Sequence, residues 1–160
     1  MNNGCCYSSC CYPEQQGSYT PGPVFPSKST TSNDAYIYQS ASQSVLNNGL
    51  VPFQQNMIMG KSIDYTSSTA ITLAPGTYYI SFRGMVTTST ANTNVGATLQ
   101  LNSIAVPAAA VYYNSVDTTQ KMVSVSAIVS VVTASTLSVA NISGNTLSYN
   151  NSSLSIIELI

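Results

Sequence analysis

Two stretches of this chain alternate between outward-polar and inward-apolar positions, and a period of two is the signature of β-strands. From Met122 to Val132, Val123, Val125, Ala127, Val129 and Val131 share one face, opposite Ser124, Ser126, Ile128 and Ser130. In Thr77–Thr87, Tyr78, Ile80, Phe82 and Gly84 fall together, opposite Tyr79, Ser81, Arg83 and Met85. The pleat sends successive side chains to opposite faces, so Tyr78, Ile80 and Phe82 are expected to form a core strand. Enrichment in Val, Ile, Thr and Tyr between turn clusters predicts further strands. They are Tyr36–Ser40, Met57–Met59, Ile63–Tyr65, Ala70–Leu73, Gly96–Leu101, Ile104–Tyr112, Thr136–Asn141, Thr146–Tyr149 and Leu154–Leu159. No segment carries a helical stripe with caps. Many short strands imply an all-β sandwich of jelly-roll type that closes off its edges. Small residues crowd AVPAAAV and VSVSAIVSVV; they suit either a tightly packed sheet face or the close approach of several subunits.

The alternation begins only after a change of texture near Asn33. Residues 1–33 hold all four Cys, and Pro13, Pro21, Pro23 and Pro26, with Val24 almost the only aliphatic residue. Such a stretch buries too little apolar surface to offset its chain entropy, which predicts an extended connector arm. Residues 34–160 are expected to form the folded domain.

Charge is nearly absent: 6% of residues are Asp, Glu, Lys or Arg, and the net charge is −1. Polarity comes instead from 26 Ser and 17 Thr. Four basic residues make no footprint for a nucleic-acid backbone. The longest apolar run, Ala105 to Tyr113, is about half a membrane span and contains Pro107. MNNGCCYSSCC has neither the basic nor the apolar region of a secretory signal. With no His, neither a Ser–His–Asp set nor a Cys–His pair is available, and the carboxylates Glu14, Asp34, Asp64, Asp117 and Glu158 are scattered. An enzyme is not expected, nor a cofactor or a bound metal. Asn141, Asn150 and Asn151 begin N-x-Ser sequons, but turn formation is the expected role. A surface with so little charge repulsion favours self-association.

Cys5, Cys6, Cys10 and Cys11 lie within seven residues. Neighbouring Cys sit too close to bridge each other, leaving local loops, links to another chain, free thiols or a zinc cage. The arm also carries Tyr7, Tyr12, Tyr19, Val24 and Phe25, suited to docking in a neighbour's groove.

ITLAPGTYYISF at 71–82 resembles the "apolar-Leu-x-Pro-Gly-Thr-Tyr-x-Ile" strand of the jelly-roll heads of complement and tumour-necrosis-factor-like proteins. SSLSIIEL resembles their last strand, and GATLQLNSIAVP with the low charge is most like the bacterial heads on exosporium collagen-like glycoproteins of Bacillus spores. With a Cys arm in place of a collagen stalk, the chain is similar to F-type endospore appendage subunits. The resemblance implies a homotrimer that polymerises on the spore surface, its arm docking in a neighbour, with Cys5, Cys6, Cys10 and Cys11 as intermolecular disulfide candidates. Exosporium anchor and tip proteins would be its other partners. The alternative is an adhesive or receptor-binding head anchored to the exosporium through the arm.

Overall fold

The computed structural model describes residues 33–159. Eleven strands and no helix are found among them: β1 (Asp34–Gln39), β2 (Gln43–Val45), β3 (Gln55–Met59), β4 (Ile63–Ser67), β5 (Ala70–Leu73), β6 (Gly76–Thr87), β7 (Thr93–Leu101), β8 (Ile104–Ser115), β9 (Lys121–Val131), β10 (Ser135–Asn141) and β11 (Leu147–Leu159). They form two antiparallel sheets. One has the order β3-β1-β11-β6-β9, with β2 also paired to β11; the other runs β4-β5-β10-β7-β8. Neither sheet has a polar inner face, so they stack and seal it.

The core follows the alternation. Tyr78, Ile80 and Phe82 are fully buried, as are Val123, Ile37, Leu99, Leu137, Leu154 and Ile156. Phe82 is the aromatic hub: its ring meets Phe53 edge-on at 6.3 Å and Tyr149 at 6.4 Å. Tyr149 crosses the sandwich, its hydroxyl donating to the Gly96 carbonyl of the opposite sheet at 2.9 Å. Burial pushes that phenol far above the usual tyrosine range.

Three expectations change on inspection. Thr146–Tyr149 and Leu154–Leu159 belong to one strand, β11. The Asn-Asn-Ser-Ser stretch between them reads as a turn, but the strand absorbs it as a bulge: Asn150 pairs with Met85 and Ser153 with Arg83, so Asn151 and Ser152 oppose Gly84 alone. Asn151 takes the left-handed φ of 44° that Asn tolerates. β2, three residues long, is too short to show a period and was not expected. Finally, β8 runs on to Ser115, three residues beyond its expected end.

Asn141, at a sequon, is fully buried. Its amide donates to the carbonyls of Val45 (3.0 Å), Leu46 (3.1 Å) and Asn145 (2.8 Å) and accepts from the Ser143 N–H at 3.0 Å. It pins the loops after β2 and β10 together, so its role is structural.

The registers give the sandwich two distinct ends. At one lie Asn33, the β3–β4, β5–β6 and β7–β8 turns and the end of β9. Asn33 clasps this end shut: its amide donates to Glu158 Oε2 at 2.5 Å and accepts from the Lys61 N–H at 2.8 Å. At the other end lie the β6–β7, β8–β9 and β10–β11 loops. Residues 1–32 therefore join the domain at the end opposite those loops.

Candidate self-association surface

The outward side of the β3-β1-β11-β6-β9 sheet is built of in-register rows. Met59, Asp34, Ile157, Tyr79 and Ile128 form one row across all five strands. Met57, Tyr36, Ser155, Ser81 and Ser126 form the next, then Gln55, Tyr38, Ser153, Arg83 and Ser124. The rows grade from apolar to hydroxyl-rich, and only Asp34 and Arg83 in them carry charge. Met57 is 68% exposed, Met59 59% and Ile128 66%, although each sits in a strand and not at a loop tip. Tyr36 and Tyr38 stack at 5.4 Å, filling the middle of the face. Single exposed apolar residues are ordinary, but a contiguous set on a flat sheet marks an interaction surface.

A second apolar surface lies at one edge of the sandwich, where β8 and β9, the last strands of their sheets, run side by side. Near the loop end the Tyr113 hydroxyl donates to the Met122 carbonyl at 3.1 Å and holds the two strands together. Towards the Asn33 end they splay into a groove of about 520 Å³ lined by Leu101, Ile104, Val106, Pro107, Ile128 and Val129. Ile104 is 73% exposed. β8 is shielded against open-ended strand pairing: Pro107 has no N–H to offer, and Val106 to Ala109 bulge out opposite Leu99 alone. Of the small residues in AVPAAAV, only Ala109 is buried, so within one copy this segment is not a tightly packed sheet face. Its exposed alanines leave the backbone open to close approach.

The two-sheet sandwich superposes on solved structures. The globular domain of zebrafish complement 1qA protein superposes with a TM-score of 0.60 at 12% identity, over 78% of this chain and 94% of that one. Eiger TNF from S. frugiperda gives 0.64 at 11%, over 81% and 94%, and murine APRIL 0.65 at 10%, over 80% and 99%. The fold is a complement C1q/TNF-like jelly roll. No family model and no curated protein matches the sequence.

Among the described residues no three His, Cys, Asp or Glu side chains converge, and no helix is long and apolar enough to cross a membrane. Cys5, Cys6, Cys10 and Cys11, and the docking residues Tyr7, Tyr12, Tyr19, Val24 and Phe25, lie outside the described residues. The exposed patch of Met57, Met59 and Ile157 has no counterpart among the sequence expectations. Met57-Ile58-Met59 does put apolar residues on both faces of one strand, but a strand buried on both faces shows the same pattern, so the sequence alone does not mark the exposed face.

Asp117 shows how the loop end is organised. Its Oδ1 accepts from the Thr119 N–H at 2.9 Å and the Thr119 hydroxyl at 2.5 Å, and pairs with Lys121 Nζ at 2.9 Å. The Thr119 hydroxyl, then Lys121 and the Thr119 N–H, bring this carboxyl down to about 2 from an ordinary 3.8. Because the folded carboxyl is the stronger acid, the turn's added order is complete above about pH 4 and is lost as pH falls through about 2. The Thr119 amide resonance of the full chain should titrate with a midpoint near 2, and in T119A the Asp117 midpoint should rise towards 3.8. An unmoved midpoint in T119A would remove the hydroxyl from this account.

Proposed function

We propose that this chain is a structural subunit that assembles with copies of itself into a fibre on a spore surface. The observation that carries this reading is the pair of different apolar surfaces, a sheet face and the β8–β9 edge, on a domain with almost no charge. Two unlike surfaces that fit each other give a head-to-tail contact, and such a contact closes into a ring when its rotation allows. Packing the edge of one copy on the face of the next makes the trimer that the family resemblance implies.

Such a ring spends its apolar surfaces on itself, so a second connection is needed to lengthen it. The arm of residues 1–33 supplies it: Tyr7, Tyr12, Tyr19, Val24 and Phe25 dock on a neighbouring ring, and Cys5, Cys6, Cys10 and Cys11 make the contact persist as intermolecular disulfides. Leaving the domain at the end opposite the β6–β7, β8–β9 and β10–β11 loops, the arm favours stacking of rings end to end. Exosporium anchor and tip proteins complete the assembly as partners at its two ends.

Electron microscopy of the full recombinant chain should show filaments, and deletion of residues 2–20 should leave discrete trimers of the same mass per ring. Filaments that survive the deletion would exclude the arm as the connector. Discrete oligomers from the full chain would favour the adhesive-head reading, with the arm reserved for anchoring. Loss of filaments on adding reductant assigns their persistence to sulfur.

A further inference from the structure

We infer that Arg83 is the base of an oxyanion pocket that fills when the sheet face closes against another copy. Arg83 is the only arginine in the chain, and it sits in mid-strand on the outward side of β6. Among the described residues it has neither an ion-pair partner nor a hydrogen-bond partner; their one ion pair is Lys121–Asp117. It lies beside the β11 bulge, where Asn151 and Ser152 oppose Gly84 and the sheet surface dips.

The dip is a cavity of about 170 Å³ lined by Tyr36, Arg83, Gly84, Met122, Asn151 and Ser153. A liquid water takes about 30 Å³, so the cavity has room for one tetrahedral oxyanion with a little solvent. Its polar lining can donate throughout: the guanidinium fork, the Asn151 amide, and the hydroxyls of Ser153 and Tyr36. None of these residues is acidic. A planar guanidinium grips two oxygens of a carboxylate or phosphate at once, whereas a chloride ion offers it no such geometry.

This inference rests on the self-association reading in one respect, the closure of the face. Closure removes Arg83 from water, and a desolvated guanidinium without a counter-charge opposes burial. An oxyanion must therefore enter with it. Inorganic phosphate, whose oxygens match the guanidinium fork, is the oxyanion of the right shape. Asp34 shares the face with Arg83, so in a face-to-edge contact the adjoining copy does not bring its own Asp34 to the pocket.

Sedimentation of the full chain in chloride buffer, with and without millimolar phosphate, tests this using wild type and R83Q. If phosphate fills the pocket, it tightens wild-type association by about tenfold, the size of one charge-assisted contact, and leaves R83Q unmoved. R83Q also controls for the general strengthening of apolar contacts by phosphate. A phosphate effect of the same size in R83Q overturns the inference. Equal association of wild type and R83Q in both buffers overturns the inference. Should the chain remain monomeric throughout, the association reading fails by itself. The pocket is then judged by phosphate-induced shifts of the Asn151 and Ser153 amide resonances, and their absence overturns it too.

Discussion

Ile128→Asp is expected to give a folded monomer. Ile128 belongs to both apolar surfaces, standing in the row with Met59 and Tyr79 and lining the β8–β9 groove. It is 66% exposed in the single copy, so the fold loses little when it is replaced. In the proposed ring this side chain would take part in both of its copy's interfaces. Losing an isoleucine there costs about 1.5–3 kcal/mol, and an unpaired carboxylate in its place costs several kcal/mol more. Association should weaken by at least about a hundredfold, and filaments should disappear with it. Analytical ultracentrifugation reads the first effect and circular dichroism checks that the β-signal survives. Trimers that persist at micromolar concentration would show that neither surface is the interface.

Phe82→Ala acts on the opposite side of the same sheet. Phe82 is fully buried between Phe53 and Tyr149, with Ile80 and Leu154 beside it along the strands. Truncating a buried phenylalanine removes its burial and leaves a cavity that the two sheets cannot close, for a loss of about 3–5 kcal/mol. That is a large part of the roughly 5–15 kcal/mol that holds an ordinary domain folded. Urea unfolding followed by circular dichroism, at one fixed protein concentration because assembly also stabilises the folded state, measures it. A loss below about 1 kcal/mol would mean that the site collapses and the aromatic hub is dispensable. The two variants separate the roles of the sheet: one removes assembly and keeps the fold, the other weakens the fold.

Most strands are legible in the sequence because one side of each must be apolar to seal the sandwich. Tyr78, Ile80 and Phe82 announce their face by alternation alone, and so do the valines of β9. The Asn150–Ser153 stretch misleads for a physical reason. Its composition is that of a turn, yet the ladder on either side is long enough to carry two unpaired residues through as a bulge. β2 leaves no pattern because three residues hold no full period beyond one repeat. The face of Met57, Met59 and Ile157 was invisible for a different reason: period-two reasoning assigns apolar residues to the inside of one chain, and these face out. Arg83 draws attention only once the rows show it without an ion-pair partner among the described residues.

The separation of arm and loops to opposite ends makes the subunit directional. If the proposed arm connection holds, rings joined through it would all point the same way, and the two extremities of a fibre would be chemically unlike. One would display unsatisfied arms and the other the end that receives them. A copy shortened at its N-terminus could still receive an arm but could not offer one, and a trace of it would stop elongation at a single extremity. Fibre length would then be governed by the ratio of stoppers to whole subunits, without any regulator acting on the shaft.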